Sequence, residues 1–300
     1  MQAFGIPTMS PSDTPPQTES SQAAFKFVQA LAAELSRGSV EIPGVPSIVT
    51  RVREVLADEG ASADKVARVV GADPVLAARL LKLANSVALL GTARPATDLR
   101  TAVSRVGLNT VRATTHAHAV RVLSQCEALR GLEKPLEVLA RHTSQVASLC
   151  HVVAQRFTRV PPDEALLAGL LHSSGRLYLL TRAASHRALF ADASTFRAVE
   201  RDWHLSVAVA LLENWNVPDE IVHSVSESED QSREPRGAPS LTDVLLLALT
   251  IARHAGQPGA LEAHLRDVRC LARFNLDAAA VTAMLEASRG ELAQLEAALT

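Results

Sequence analysis

The sequence predicts an all-α protein, and three observations carry that prediction. Aromatic residues make up 3% of the chain against 47% hydrophobic residues overall. The core is therefore built from Leu, Val and Ala, which suit helix-on-helix packing, whereas strands recruit more aromatic and β-branched side chains. Apolar positions follow helical spacing from Ala23 onward, with no alternating run of useful length and no fixed-period repeat. Pro, Gly and Asp punctuation divides the chain at regular helix-sized intervals.

The elements follow in order. Residues 1–22, rich in Pro, Ser, Thr and Gln, read as a disordered tail that cannot bury enough surface to offset ordering. Ile42-Pro43-Gly44-Val45-Pro46 is an extended connector, because each Pro disfavours helical geometry in its predecessor. A helix runs to about Leu56, and another from Ser62 to about Gly71. Asp73-Pro74 reads as N-cap plus first helical residue, opening a helix through Leu76, Leu80, Leu83 and Ala84. Asp98 caps the next helix, which ends at Gly107; Asn109 starts one towards Gln125. Pro135 opens a long helix to about Phe157, and Pro161-Pro162-Asp163 starts the helix that delivers His172. Helices near 195–203, 206–214 and 218–227 precede an acidic, Ser-rich loop over 226–240. Ser240 and Asp243 have capping-box form ahead of a helix over 241–255. Two closing helices lie near 258–273 and 277–298.

Composition removes several classes of function. A formal net charge of −2 offers no general attraction to nucleic acid or to an anionic membrane. The longest apolar run, Val244 to Ala252, is too short to span a bilayer. No basic region followed by an apolar segment opens the chain, so a cytoplasmic address is expected. Cys126, Cys150 and Cys270 have no Cys-x-x-Cys partner and read as buried small hydrophobes.

Two blocks of residues then suggest a family. The run from Val69 to Ser86, with Asp73-Pro74, Leu76, Leu80-Leu81 and Ala84-Asn85-Ser86, resembles the "DP-x-L-x-x-x-L-L-x-x-A-N-S" segment of HDOD domains. These are the HD-related output domains of bacterial signalling proteins. Leu99 to Gly107 resembles a second element of that family. In the other half, His142 to Ala147 resembles the helix carrying the first HD histidine. Glu164 to Leu177 resembles "A-x-x-A-G-L-L-H-D-x-G", with Ser173 in the place of the Asp. Glu200, His204 and the run Leu212 to Pro218 resemble "E-x-x-x-x-x-H … L-x-x-W-x-x-P". The nearest equivalents of a downstream His-His pair are Ser228 and Glu229, and a final HD aspartate, expected at about Thr250, is missing.

The resemblance implies a first helical lobe over 23–125 packed on an HD-like helical bundle over 126–300. It also implies regulation through protein contact in stress, motility or cyclic-dinucleotide pathways. The remnant HD positions are His142, His172, Ser173 and His204. Three neutral imidazoles could form a zinc site, but a phosphohydrolase needs carboxylates to hold a cation, activate water and neutralise substrate. The expectation is therefore a non-catalytic regulator with no cofactor and no bound metal. It would act on a protein partner, or respond to a small ligand held in the groove between the lobes. The competing reading is a metal-dependent nucleotide phosphohydrolase using His142, His172 and His204; nucleic-acid binding is disfavoured by charge.

Other polar residues have plainer readings. Asn85 and Ser86 read as a helix C-terminal cap, Asn tolerating a left-handed backbone, or as a partner-binding surface. Trp215 reads as a packing anchor. Arg79, Arg105, Arg112 and Arg121 read as a solvated face. His116 and His118, two apart on a helix, do not share a face. They and His151, His186, His223, His254 and His264 read as solvated or locally bonded.

Overall fold

The structure, a computed structural model, describes residues 17–37, 46–58, 60–86, 89, 94–124, 129–190, 193–215, 217–234, 237–254 and 256–299. Every regular element among the described residues is helical. The first group is α1 (Gln17–Ser36), α2 (Ser47–Ala57), α3 (Ala63–Val70), α4 (Pro74–Ala84) and α5 (Leu99–Ser124). Next come α6 (Glu133–Phe157), α7 (Pro162–Leu171), α8 (Ser174–Ala183), a 3-10 segment (Arg187–Phe190), α9 (Ala193–Asn214) and α10 (Asp219–Ser226). The chain closes with α11 (Leu241–Arg253), α12 (Pro258–Asp267), α13 (Arg269–Ala272), α14 (Ala278–Ala287) and α15 (Arg289–Leu299). Residues 1–16, most of the Pro-containing connector at 42–46 and Cys126 lie outside the described residues.

The local signals place the helix ends. Asp73 Oδ1 accepts from the backbone N–H groups of Val75 and Leu76, both at 2.9 Å, with Pro74 in the first turn. Ser62 accepts from Lys65 N, and Ser240 with Asp243 forms the full capping box of α11. Gly107, at φ 77°, interrupts α5 where the sequence ends one helix and begins another. That backbone conformation is open to Gly at little steric cost.

Other boundaries differ from the sequence reading. α1 begins at Gln17, within the stretch read as tail. α9 runs unbroken through 203–206, since no Gly or Pro interrupts 193–214. Each closing helix is divided in two. Val268 turns extended (φ −89°, ψ 108°) between α12 and α13, and Ser288 separates α14 from α15.

Among the described residues three large clusters form most of the interior, with a small fourth joining Leu83 to Leu295 and Ala298. Helices α2 to α5 pack Val52, Val66, Leu76, Leu80 and Val103 into the core of the first lobe. Helices α6, α7 and α11 form the centre of the second, around Val146, Leu167 and Leu247. α1, grouped with the first lobe on sequence, sets Phe27 and Leu31 against Tyr178, Leu189 and Phe196 of the second. The second half of α5 joins all three. Val111 and Ala119 face the first-lobe core, Ala113 and Ala117 the centre of the second, and Val120 and Leu123 the cluster around α1. Small side chains let neighbouring helices approach α5 closely, while Thr114 and Thr115 satisfy their buried hydroxyls on the carbonyls of Thr110 and Val111.

α15 ties the lobes from outside. Its last carbonyls accept from α4, Leu299 from Arg79 Nη1 at 3.2 Å and Ala297 from Lys82 Nζ at 2.9 Å. Its first turn places Glu291 3.8 Å from both His151 and Arg156 of α6.

Candidate functional site

The HD-like positions converge where α6, α7, α8 and α9 meet. His142 projects from α6, His172 follows the last residue of α7, Ser173 caps the start of α8, and His204 comes from α9. The approach is close because Gly175 has no side chain. A Cβ at that position would lie 1.8 Å from the carbonyl oxygen of His204. The His142 and His172 rings meet edge to face, with centroids 5.8 Å apart. His172 Nδ1 is 2.6 Å from the Gly169 carbonyl, while its Nε2 is buried without a hydrogen-bond partner. Ser173 Oγ lies 2.6 Å from Thr143 Oγ1, and the Thr143 hydroxyl is also 2.7 Å from the Leu139 carbonyl.

A cation from the protein itself stands beside His204. Arg176 stands one helical turn beyond Ser173. Its Nη2 donates to Glu229 Oε1 at 2.8 Å and lies 3.3 Å from His204 Nε2. Its Nε is 3.9 Å from Glu200. Glu229 Oε1 also contacts His204 Nε2 at 3.1 Å, and His204 Nδ1 faces the carbonyls of Glu200 and Arg201. The sequence reading placed Glu229 only as a substitute for a missing histidine and passed over Arg176.

The electrostatics follow from burial beside that guanidinium. Desolvation, assisted by Arg176 and Arg253, pushes His142 down to about 4. Desolvation and the neighbouring His142 push His172 down to about 3. Both rings are neutral at pH 7. Glu229 is pulled down to about 2, chiefly by its hydrogen bond with His204 and then by Arg176. Burial raises Glu200 against the opposing pull of Arg176.

HD folds imply a divalent cation, and this donor set does not fit one. The two neutral imidazoles are able to ligate but bring no negative charge, the hydroxyl of Ser173 is engaged by Thr143, and Glu229 is paired with Arg176. Thr250, at the position expected for the last acidic ligand, is buried and donates to the Leu246 carbonyl. Among the described residues no three His, Cys, Asp or Glu side chains are arranged to hold an ion. A hard dication needs anionic oxygens around it, not a resident guanidinium.

The first-lobe marker residues stand apart from this centre, at the two ends of α4. Asp73, besides capping the helix, lies 3.1 Å from buried His118. Asn85 has φ −100°, so it is not the left-handed cap expected of it. Its side-chain amide instead bonds both backbone groups of Ala96, at 2.7 and 2.9 Å, and accepts from Arg105. Ser86 donates to the Leu83 carbonyl. Together these contacts fix the chain leading into α5. That architecture and this marker segment decide the family, for the HDOD domain matches residues 42–231.

The chain belongs to the HDOD family. Among solved structures, a Shewanella amazonensis protein provisionally called a metal-dependent phosphohydrolase is 22% identical with a TM-score of 0.71. That match covers 93% of this chain and 100% of the other. An HDOD domain protein of unknown function from Geobacter sulfurreducens is 24% identical with a TM-score of 0.55, covering 95% and 98%. At these identities the likeness is one of fold. A search of curated proteins gives no match.

Several polar residues of this HDOD protein depart from their bland reading. Arg79, Arg105 and Arg112 do not form a solvated face: they are half-buried and bond carbonyls of other segments. His116, His118 and His151 are buried, whereas His264 keeps the local bond expected of it, to the Ala260 carbonyl, while its ring lies 4.4 Å from that of His254. Apart from that local bond these meetings are tertiary, so helical spacing along one segment does not reveal them. Cys150 and Cys270 are buried free thiols, each with its ionisation suppressed by burial. No helix among the described residues is long and apolar enough to cross a membrane.

Proposed function

We propose that this HDOD protein is a cytoplasmic signalling regulator that works through contact with a protein partner and not through hydrolysis. The observation that carries the reading is the Arg176–Glu229 ion pair beside His204. An HD hydrolase uses that space for a cation that polarises phosphate and generates a nucleophile from water. Here the positive charge is a fixed guanidinium, which can neutralise an anion but cannot lower the pKa of a coordinated water. What the fold retains is a pair of helical lobes joined through α5, a scaffold whose relative packing a partner can bias. Stress, motility and cyclic-dinucleotide pathways are the settings the family suggests.

The discriminating experiment is metal analysis of the purified protein combined with a nucleotide hydrolysis screen in Mg²⁺, Mn²⁺ and Zn²⁺. The expected result is substoichiometric metal and no turnover above background. Stoichiometric metal with turnover abolished by His172→Ala would overturn the reading in favour of a phosphohydrolase. Isolation of complexes from the native cell would then identify the partner.

A further inference from the structure

A cavity of about 40 Å³ lies between the lobes, and none of His142, His172, Ser173 and His204 lines it. By the space a single water needs, it holds roughly three water molecules. Val52, Leu56 and Ala119 of the first lobe face Leu171 and Val217 of the second across it. The polar side chains on this apolar wall are few: Arg53, Arg112, His116, Trp215 and Thr115, whose hydroxyl is already spent on the Val111 carbonyl. Arg53 stacks over the Trp215 ring at 5.0 Å, and the His116 ring meets the same indole at 5.5 Å. Arg112 donates to the Leu56 carbonyl at 2.7 Å and faces Asn109 Oδ1 at 3.4 Å, both neutral oxygens. Among the described residues lining the cavity there is no carboxylate.

Two ring nitrogens are left over. His116, only 6% exposed, buries its Nε2 with no hydrogen-bond partner, and Trp215 Nε1 is likewise buried and unpaired. The indole N–H can only donate. Burial without a partner costs about 1–3 kcal/mol for each such group, so the indole N–H marks a place where an acceptor is missing, and the neutral His116 ring, in the tautomer with its proton on Nε2, donates to the same acceptor. Burial and the neighbouring Arg53 keep His116 neutral, pushing it down to about 4, and desolvation lowers Arg112.

We propose that this inter-lobe cavity binds a compact organic monocarboxylate, its oxygens facing Arg112, His116 and Trp215 and its carbons facing Val52, Leu56 and Leu171. Size excludes a nucleotide from the cavity, and the apolar wall disfavours a bare inorganic anion. Because the lining comes from both lobes, the bound acid stabilises one packing of α2 and α5 against the second lobe. That consequence rests on the contact-signalling reading, while the binding itself does not.

The test is titration of the full chain with formate, acetate and propionate, acids on the scale of the few waters the cavity holds, each beside its matched amide and beside inorganic phosphate. Binding is followed by calorimetry and by the fluorescence of Trp215 in a Trp203→Phe background. Saturable binding of at least one acid with a change in Trp215 emission is expected, its amide binding about tenfold or more weakly, as loss of a charge-assisted hydrogen bond requires. Arg112→Met should weaken the acid by a similar factor. The assignment is overturned if no acid binds, if acid and amide are equivalent, or if phosphate alone binds. Acid affinity unchanged in a folded Arg112→Met protein overturns it as well. The comparison of acid with amide is made in protein with Arg112 intact, so it stands even if Arg112→Met fails to fold. Failure here leaves the metal and hydrolysis assays, which address the HD-like centre, to be judged separately.

Discussion

Arg176 and Glu229, 53 residues apart in the chain, meet at 2.8 Å beside His204, a position whose sequence resembles an HD motif. Neither side chain is fully buried, with exposures of 20% and 35%. The pair therefore sits between the weak exposed class and the costly buried class of salt bridges. It also borders Glu200 and His204, so each ion has more than one neighbour.

Removing the cation should expose that dependence. Arg176→Leu leaves two carboxylates, Glu200 and Glu229, facing each other without their shared partner. The expected loss is about 1–3 kcal/mol, intermediate between exposed and buried pairs, measured as the shift in urea midpoint at pH 7.5. In Arg176→Leu/Glu229→Leu most of the loss should be recovered, because neither ion is then stranded. A double variant no more stable than the single one would show that the guanidinium acts through packing.

The same carboxylate sets a pH dependence. Glu229 falls from an ordinary 4.5 to about 2 in the folded protein. Between those values the unfolded chain takes up a proton that the folded chain refuses. Its stabilisation is therefore complete above pH 4.5 and is lost as pH falls towards 2. The stability difference between the wild type and Glu229→Gln should be constant from pH 8 to 5 and shrink below 4.5. A difference that instead grows on acidification would show that the side chain is not held ionised.

How much of this was legible in the sequence depends on how far the deciding contact reaches. Asp73 capping α4, Ser240 and Asp243 boxing α11, and the break at Gly107 are chemistry within a few residues, and the sequence locates each. His142, His172, Ser173 and His204 were found as a group because the family pattern supplies their proximity. Arg176 was missed, although it lies three residues beyond Ser173, because an Arg on a helix gives no sign of whether it faces solvent or a carboxylate from α10's exit. The pairing of His116 with Trp215 joins α5 to the turn after α9, and no local period encodes it. Asn85 is the C-terminal cap of α4 that the sequence suggests, but without the left-handed backbone. Its position after a helix suggested a backbone role, whereas its side chain reaches forward to Ala96.

Buried neutral histidines should make the protein acid-labile. His116 and His142 fall to about 4 and His172 to about 3, desolvation leading in each case. All three folded values lie below the unfolded value of 6.5, so the unfolded state binds more protons between pH 6.5 and 4. Stability is complete above 6.5 and is lost as pH falls through that window. Each ring adds a slope of at most about 1.4 kcal/mol per pH unit. Urea midpoints at pH 7.5, 6.0 and 5.0 should fall steadily, and His172→Asn should flatten the decline. An unaltered slope in that variant would mean His172 is already charged in the fold.

Asp73 and His118 should be energetically coupled. The carboxylate receives two backbone N–H groups and lies beside His118. Asp73→Ala should cost about 1–2 kcal/mol through the lost cap alone. It also removes the polar partner of a buried imidazole, so the total should exceed the cap term. In a double-mutant cycle with His118→Leu, the apolar replacement should absorb part of the Asp73→Ala loss. Strict additivity, measured by denaturation at pH 7.5, would remove the coupling and leave Asp73 as a cap only.

Gly175 tests whether close helix approach builds the HD-like centre. An added Cβ would fall 1.8 Å from His204 O and 2.8 Å from His204 C, backbone atoms that cannot swing aside. Gly175→Ala must push α8 away from α9, and the strain of such overpacking is about 1–3 kcal/mol or more. The displacement would also open the Arg176, His204 and Glu229 contacts, because Arg176 is the next residue along α8. The matched control is Gly259→Ala in α12, where an added Cβ meets nothing within 4 Å. That change should be neutral or stabilising by about 0.4–1 kcal/mol, through restriction of the unfolded chain. Thermal melts of the two variants should therefore move in opposite directions from the wild type, or only Gly175→Ala should move. Equal melts for all three proteins would mean that α8 and α9 are not packed as closely as the glycine requires.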